Sequence, residues 1–422
     1  MPLSSPASAF SRVTAIAAQR PVHSAFAWLH AHGKTILDWQ IALCAIPAPP
    51  FGEEARSRWM AERFREIGLA QIETDAVGNV LGFLPTPHLS PESTGPVVVL
   101  SAHLDTVFPV ETPLEPVVRR ADGSDRLEAP GACDNAAGVV GMLAIAQALA
   151  RSGAEMPAAL LFVGNVGEEG EGDLRGMRHL YSRDALAGRI AAHIVLDGAG
   201  ADSAVTQALG SRRFQVTITG PGGHSFTDAG TPNPIAALAS ALAAVATTPL
   251  PEEPRTTLNL GTIHGGTSVN SIPESATATV DFRSTSDDEL LRLEVALHRA
   301  VEDAVDQWNA RAPQSALVRG SLAFKVDTIG DRPAAQLPEA SPILESLRAV
   351  DRHLGLQSGV RLGSTDANIP ISLGVPALSL GAGGEGGGAH TLGEWYSTKN
   401  RELGLRRILL LTVAMLQWAA EQ

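Results

Sequence analysis

Side chains that can bind metal ions follow several apolar segments of this chain. His103 lies in SAHLDTV, and a second histidine, His390, lies in GGGAHT near the C-terminus. Carboxylates that follow apolar runs complete the set, namely Asp105, Asp134, Glu168, Glu169 and Asp197. Imidazole and carboxylate ligands without a thiolate suit Zn²⁺, Mn²⁺ or Co²⁺. The set would supply two adjacent divalent metals and leave a spare carboxylate, which is what a metal-assisted hydrolase needs.

The first of these groups also has ordinary structural interpretations. His103 and Asp105 are two residues apart, so on a strand they share a face, and the carboxylate could fix the imidazole tautomer. The same residues could instead form a surface turn after a strand. Asp134 precedes an alanine-rich segment, where an aspartate is a preferred helix cap but where a ligand shared by two metals could also stand.

The other candidates are equally open when each is taken alone. Glu168 and Glu169 are adjacent at a strand end, so their side chains diverge, and one could bind a metal while the other accepts a proton from water. They could also belong to a solvated acidic loop. Asp197 could begin an Asp-Gly turn, and His390 could be an ordinary loop histidine.

Two other kinds of site are excluded by their surroundings. Gly381, Gly383 and Gly386 form a GxGxxG after the apolar run VPALSLG. A dinucleotide-binding loop needs a helix directly behind it, whereas HTLGEWYST follows without an apolar helical period. The chain also lacks a GxSxG nucleophile elbow.

Bulk composition limits the class of protein. The chain has 422 residues, a 44% hydrophobic and 18% charged composition and a net charge of −13, which argues against nucleic-acid or anionic-membrane partners. Its two cysteines, Cys44 and Cys133, form no CxxC pair, which favours a reducing, cytoplasmic compartment. The N-terminus does not resemble a signal peptide. The apolar stretch from Ile408 to Ala420 is shorter than the ~20 residues that span a bilayer and is predicted to be a buried terminal helix.

The apolar patterns predict an α/β protein with an inserted domain. Helices are expected over most of residues 1–45, from Glu53 to Ile67 and from Asn135 to Ala150. DAVGNVLGFL is expected to form strand, turn and strand, and buried strands are expected in PVVVLSAHLDTV, AALLFVGNV, AAHIVLDG and VPALSLG. Alternating strands and helices predict a mixed, mostly parallel central sheet with flanking helices. Between residues 210 and 330 the order strand-helix-strand-strand-helix-strand predicts a ferredoxin-like α+β domain. The catalytic domain would then comprise residues 1–209 and 331–422.

These motifs together resemble the M20 family of zinc peptidases, the group that includes peptidase T, glutamate carboxypeptidase and aminoacylase-like enzymes. SAHLDTV, GACDNAAG and GEEGEGDLRG resemble three metal-site motifs of that family. GPGGHS, GGTSVNSIPESATATVDFR, GSTDANIP and GGGAHTLGEW resemble later blocks, so the likeness runs from about residue 35 to the end. The resemblance implies a zinc-exopeptidase-like fold and an inserted domain that acts as a lid and forms a homodimer.

The resemblance also implies a role for each metal ligand. His103, Asp134 and Asp197 would bind one ion. Asp134, Glu169 and His390 would bind the other, with Asp134 bridging. The cofactors would be two divalent metal ions, zinc in the first instance, with cobalt or manganese as alternatives.

Further roles follow from the same resemblance. Glu168 would be the general base that acts on a water held between the metals, and Asp105 would orient His103. His224, in the inserted domain, would steady the oxyanion, in its own or the partner's active site. Asn270 and Arg283 would contact the substrate, the arginine through a carboxylate.

The sequence departs from relatives at the bridging motif, where Asn135 and Ala136 replace an acidic residue and a lysine. Aspartate rather than glutamate at position 197 resembles the peptidase members. We therefore expect a di-metal exopeptidase that acts on small peptides. The alternatives are an N-acyl amino acid deacylase of the same architecture and a non-catalytic metal-binding protein.

Overall fold

The computed structural model describes residues 6–86, 95–121 and 123–422, so residues 1–5 of the predicted N-terminal helical region lie outside it. The helices are α1 Pro6–Ala17, α2 Arg20–Ala31, α3 Gly33–Cys44, α4 Glu54–Ile67, α5 Ala136–Ser152, α6 Arg175–Ser182, α7 Pro234–Ala246, α8 Asp287–Arg311, α9 Gln314–Leu317, α10 Pro342–Leu354, α11 Asn368–Ser372 and α12 Arg401–Ala420.

The strands alternate with these helices along much of the chain. They are β1 Ala70–Thr74, β2 Val80–Phe83, β3 Val97–His103, β4 Val117–Ala121, β5 Ser124–Glu128, β6 Ala159–Asn165, β7 Ile190–Leu196, β8 Ser203–Ala208, β9 Gly210–Thr219, β10 Gly223–His224, β11 Thr256–Gly265, β12 Ser271–Ile272, β13 Ser275–Ser284, β14 Ala323–Arg332, β15 Ala335–Gln336, β16 Gly359–Gly363, β17 Ala377–Leu380, β18 Glu385–Gly387 and β19 Trp395–Ser397. The chain divides into two compact units, residues 1–208 with 336–422 and residues 209–335.

The first unit is built on a mixed sheet with the strand order β1-β2-β6-β3-β7-β17-β8. The central pairs β3–β6, β3–β7 and β7–β17 are parallel, while β1–β2, β2–β6 and β8–β17 are antiparallel. Every residue of β3 and β6 is buried, as the continuous apolar runs indicated. The predicted fold class, a mixed sheet with flanking helices, is confirmed.

The parallel strands end at one edge of this sheet. His103, the last residue of β3, lies opposite Asn165, the last residue of β6. Leu196 at the end of β7 lies opposite Leu380 at the end of β17. The segments that follow these strands therefore emerge side by side, which is where ligands bind in open α/β sheets.

Two apolar helices fill the core of this unit. Helix α5 is buried over almost its whole length. Helix α12 begins at Arg401, before the apolar stretch that predicted it. Within it Arg407 is fully buried and donates from Nε to Asp351 Oδ1 at 2.6 Å. By length and composition α12 is the one helix among the described residues that could cross a membrane, and 72% of its apolar window is buried inside the protein.

Two parts of the first unit differ from the prediction. The first strand of DAVGNVLGFL was expected to begin at Asp75, but strand β1 lies before this segment and ends at Thr74. Asp75 belongs to the turn, because its carboxylate accepts the backbone N–H groups of Val77, Gly78 and Asn79. A small sheet in the order β18-β19-β5-β4 was not predicted, since its short strands carry no extended apolar alternation.

The main elements of the second unit follow one another as strand, helix, strand, strand, helix and strand, namely β9, α7, β11, β13, α8 and β14. Its antiparallel sheet runs β11-β13-β9-β14. Alternate residues of β13 are buried, among them Val280 and Phe282, and they pack in one core with residues of α7 and α8. The other face of the sheet and the β11 edge are more open to solvent, and residues 259–265 of β11 are all exposed.

A buried histidine in the first unit leads to a prediction about acid stability. His193 on β7 is fully buried between Tyr181 Oη and Ser101 Oγ, each 2.9 Å from a ring nitrogen. Burial lowers the pKa of His193 to about 3, whereas the unfolded chain titrates near the ordinary 6.5. Between these pH values only the unfolded state takes up this proton, so stability falls as the pH falls, by at most about 1.4 kcal/mol per pH unit.

We expect His193→Gln to remove that part of the pH dependence. The measurement is the free energy of unfolding in urea at several values between pH 6.5 and 4. The slope for the variant should be smaller than that for the wild type. Equal slopes would show that His193 does not titrate in this way.

Candidate active site

The carboxylate of Asp134 lies between two imidazole rings. Its Oδ1 is 3.1 Å from His103 Nε2, and its Oδ2 is 3.1 Å from His390 Nε2. His103 ends β3 and is 1% exposed, whereas His390 lies in the loop before β19 and is exposed. A carboxylate with one oxygen facing each imidazole has the geometry of a ligand shared by two ions.

Each imidazole has a further carboxylate beside it. Asp197 Oδ1 is 3.9 Å from His103 Nε2, and Glu169 Oε1 is 3.2 Å from His390 Nε2. Two sets of three residues each have ligand atoms that all lie within 4.8 Å of one another. One set is His103, Asp134 and Asp197, and the other is Asp134, Glu169 and His390. The structure thus brings together all five residues that the sequence proposed as ligands.

Asn135, rather than Asp134, caps helix α5. Its Oδ1 accepts the N–H of Gly138 at 3.1 Å, so the cap interpretation of Asp134 was wrong and its carboxylate is left to face the histidines. Asn135 also brackets Asp197, because Nδ2 donates to Leu196 O at 2.9 Å and Oδ1 accepts the N–H of Gly198 at 3.1 Å. The residue that departs from the family motif therefore joins two candidate ligand loops.

Asp105 acts mainly on the backbone of the paired glutamates. Its Oδ1 accepts the Glu168 N–H at 3.0 Å, and its Oδ2 accepts the Glu169 N–H at 2.7 Å. His103 Nδ1 donates a hydrogen bond to the backbone carbonyl of Asp105 at 3.1 Å, and the Asp105 carboxylate is farther away at 3.6 Å. A carbonyl acceptor at Nδ1 leaves Nε2 of His103 free to bind a metal.

The two adjacent glutamates have different surroundings. Both are buried, with 5% and 6% exposure for Glu168 and Glu169. Glu169 faces His390, whereas a Glu168 carboxylate oxygen lies within 4.8 Å of ligand atoms of His103 and Glu169. Glu168 is therefore close to both candidate ion sites.

Burial and the contacts between imidazoles and carboxylates shift the pKa values of these groups. Although burial opposes ionisation of Asp134, the imidazoles of His103 and His390 hold its pKa below the ordinary value. Hydrogen bonding to Asp134, with the charge of Glu169, raises the pKa of His390 to about 9. Burial raises the pKa of Glu169 to about 7, although both histidines oppose the rise. The cluster therefore attracts positive charge.

The residues fit a pair of divalent ions. Asp134 Oδ1 is buried and, despite its closeness to His103, has no hydrogen-bond partner within residues 6–86, 95–121 and 123–422. A bound ion would satisfy this oxygen. The neighbouring Cys133 belongs to none of the described groups of ligand atoms, and burial raises the pKa of its thiol to about 12. The donor set of imidazoles and carboxylates suits zinc, cobalt or manganese.

The second unit brings together two of its three proposed site residues. His224 on β10 pairs with Ser271 on β12, and Asn270 O accepts the N–H of Ser225 at 2.9 Å. Both His224 and Asn270 are exposed. They lie beyond the end of β9 that pairs with Ser275.

Arg283 lies near the opposite end of β13. Arg283 is eight residue steps along the extended strand from Ser275, a length of about 27 Å. Its Nε donates to Asp281 Oδ2 at 2.8 Å, and the side chain is half-buried. The second unit of one chain therefore does not place Arg283 beside His224 and Asn270.

Sequence reasoning missed several buried polar groups around the cluster. Glu394 is 1% exposed and accepts three backbone N–H groups of the Asp134 loop. Asn165, opposite His103 in register, donates from Nδ2 to Asp366 Oδ2 at 2.6 Å, and both residues are fully buried. The sequence does carry a signal for each residue, because Glu394 lies in GGGAHTLGEW, Asp366 lies in GSTDANIP and Asn165 ends β6. None of these signals identifies the partner of the side chain.

The chain is similar to known hydrolases. A family model described as Peptidase family M20/M25/M40 matches residues 99–412. Among curated proteins, a "Probable carboxypeptidase" of Aspergillus flavus is 28% identical over 233 residues, which are 51% of this chain and 53% of that protein. The chain thus matches only about half the length of this curated relative.

Solved structures share the fold over nearly the whole chain. Aminopeptidase PepT of Bacillus cereus superposes with a TM-score of 0.67 and 18% identity, covering 92% of this chain and 99% of that one. The Bacillus subtilis YXEP protein, described as a dinuclear metal binding peptidase from the M20 family, gives 0.63 and 16%, covering 92% and 99%. The family match spans most of the sequence, including the segments that carry the five clustered side chains, and the chain therefore belongs to Peptidase family M20/M25/M40 and is a hydrolase.

Proposed function

We propose that this protein is a di-metal exopeptidase that hydrolyses small peptides. The observation that carries the proposal is the carboxylate of Asp134, whose two oxygens each face one imidazole at 3.1 Å. The relatives support a peptidase, since they include an aminopeptidase and a dinuclear metal binding peptidase. Which end of the peptide is cleaved is left to experiment.

His103, Asp134 and Asp197 would hold one ion, and Asp134, Glu169 and His390 the other. We propose zinc, with cobalt or manganese as alternatives, because the donors are imidazole nitrogens and carboxylate oxygens. When bound, two such ions lower the pKa of a water molecule and polarise the scissile carbonyl. Asp134 would offer one carboxylate oxygen to each ion, as the contacts of its two oxygens with His103 and His390 indicate.

Glu168 would act as the general base. Its carboxylate takes a proton from the attacking water and later delivers it to the leaving amine, so the residue ends the cycle as it began. Its position is supported by the hydrogen bonds from the backbone of both glutamates to Asp105. Since Glu169 faces His390, the adjacent carboxylates divide metal binding and proton transfer between them.

His224 is prepared to donate a hydrogen bond to an oxyanion. Its Nδ1 accepts the N–H groups of Phe226 and Thr227 at 3.2 and 3.4 Å. A neutral imidazole that accepts at Nδ1 carries its proton on Nε2, which is then the donor. The exposed Nε2–H would stabilise the negative charge that develops on the substrate carbonyl.

We further propose that a homodimer completes each active site. His224 and Asn270 are separated from Arg283 by about 27 Å of strand, too far for one small peptide to touch all three in one chain. One chain would supply His224 and Asn270, and the other would supply Arg283, which would bind a substrate carboxylate. The exposed β11 edge supports assembly through the second unit, because unpaired edges favour pairing with another chain.

Mixed dimers give a direct test of this arrangement. His224→Ala alone should lower kcat by about 10²–10³-fold without changing metal content. Co-assembly of His224→Ala with Glu168→Gln chains should recover roughly a quarter of wild-type activity, because half of the dimers are mixed and each has one complete site. No recovery in proven mixed dimers would show that His224 serves its own chain.

The substrate class is tested with a metal-replete panel. The protein is loaded with zinc, cobalt or manganese and given unblocked, N-blocked and C-blocked di- and tripeptides together with N-acetyl amino acids. Cleavage of peptides with a free end supports the exopeptidase. Hydrolysis of N-acetyl amino acids alone would instead establish a deacylase, and no cleavage with any metal would overturn an enzymatic function.

A further inference from the structure

Glu394 lies at the junction of two segments that carry candidate ligands. It directly precedes β19 and is four residues after His390. Its backbone O accepts the N–H of Ala129 at 3.1 Å, and its own N–H donates to Thr391 O at 3.2 Å. The main chain of Glu394 thus ties the His390 turn to the start of the loop that leads to Asp134.

The side chain of Glu394 holds the same loop from inside. Its Oε2 accepts the N–H of Gly131, and its Oε1 accepts the N–H groups of Cys133 and Asp134, all at 2.7 Å. The side chain is buried with the residue only 1% exposed, so water does not compete for these bonds. Short hydrogen bonds from backbone N–H groups to an ionised carboxylate are among the stronger ones in proteins.

The three bonds fix the direction in which Asp134 leaves the backbone. One of them comes from the Asp134 N–H itself, and its carboxylate has to present one oxygen to His103 and the other to His390. A small rotation of the loop would turn one oxygen away from its histidine. The geometry points to Glu394 as the positioning residue that aligns Asp134 with both ion sites and joins it to His390, an inference that rests on the proposed di-metal function.

The chemistry of the site requires a carboxylate at position 394. Three donors converge on the side chain, and both carboxylate oxygens accept. A glutamine can keep the two bonds at one oxygen, but its NH₂ group then meets the N–H of Gly131, donor against donor. Alanine loses all three bonds. We therefore expect Glu394→Gln to be impaired and Glu394→Ala to be impaired more.

The first test uses the metal-free protein and is independent of catalysis. Hydrogen exchange of the peptide spanning residues 129–136 should be slow in the wild type and at least about 10-fold faster in Glu394→Gln, with little change in the core helix α5 beyond its first turn. The matched control is Glu385→Gln on β18, since Glu385 is exposed and pairs with Lys399 at 2.9 Å. Fast exchange of this segment in the wild type overturns the proposal, and this result does not depend on whether Glu394→Gln and Glu394→Ala fold.

The second test measures metal binding. The wild type should bind two Zn²⁺ or Co²⁺ per chain, and Glu394→Gln should bind at least one of them roughly 10–100-fold more weakly. The visible absorption of the Co²⁺-loaded variant should also change, which a general loss of stability would not cause. Unchanged affinity and spectrum in a folded variant would overturn the role of Glu394, whereas a wild type that binds fewer than two ions would overturn the di-metal proposal itself.

Discussion

Replacing Glu168 by glutamine is expected to lower turnover by about 10²–10⁴-fold or more while leaving two metal ions bound per chain. Glutamine has nearly the same shape as glutamate but cannot accept a proton from water. The backbone N–H groups of residues 168 and 169 still donate to Asp105, so the loop should keep its conformation. The measurements are kcat on a peptide that the wild type cleaves and metal content by inductively coupled plasma mass spectrometry.

The control for this substitution lies in the same loop. Glu171 belongs to the 3₁₀ turn Gly170–Gly172 and is exposed, so Glu171→Gln removes the same charge from nearly the same place without touching the clustered ligands. Its activity should stay close to that of the wild type. Turnover retained by Glu168→Gln would assign the base elsewhere. Loss of metal from Glu168→Gln would make Glu168 a ligand, as its closeness to His103 and Glu169 also permits.

The parts of this site that local sequence patterns predicted most directly are those that follow buried strands, whereas Asp134 and His390 lie in loops and were assigned through the family resemblance. Apolar runs such as VVVLSAH specify β3, and the residue at its end, His103, must then emerge at the carboxyl edge of the sheet. The same argument places Glu168 after β6 and Asp197 after β7. A pattern of local residues was sufficient because parallel pairing brings the ends of these strands together.

The parts that could not be predicted depend on contacts between distant segments. Glu394 meets its partners 260 to 263 residues away, and no local pattern shows that three N–H groups will converge on it. The prediction of Asp134 as the N-cap of α5 was wrong for a related reason. Asp134 and Asn135 are both of types that cap helices well, and the choice is made by the contacts of Asn135 with Leu196 at the end of β7 and with Gly198 in the loop after it. Polar groups buried by tertiary structure are therefore the hardest to assign from sequence.

The other large effect is expected from Asp134→Ala, which should weaken the binding of both ions rather than one. One candidate ligand set is His103, Asp134 and Asp197, and the other is Asp134, Glu169 and His390. Within residues 6–86, 95–121 and 123–422, Asp134 is the only residue that these two sets share. Removing a ligand should exceed the roughly 10–100-fold loss that follows from removing a group behind a ligand, and it should remove activity as well. His390→Ala, by contrast, should weaken only one ion.

Isothermal titration of the metal-free proteins with Zn²⁺ or Co²⁺ distinguishes these outcomes, because the stoichiometry and affinity of both binding events are read in one experiment. Asp202→Ala is a suitable control, since Asp202 is an exposed aspartate in the loop after the candidate ligand Asp197. If Asp134→Ala loses one ion and keeps the other at wild-type affinity, Asp134 binds a single metal. The two imidazoles that face its oxygens would then belong to sites that are not bridged, and the shared water on which the proposed hydrolysis depends would have no place to form.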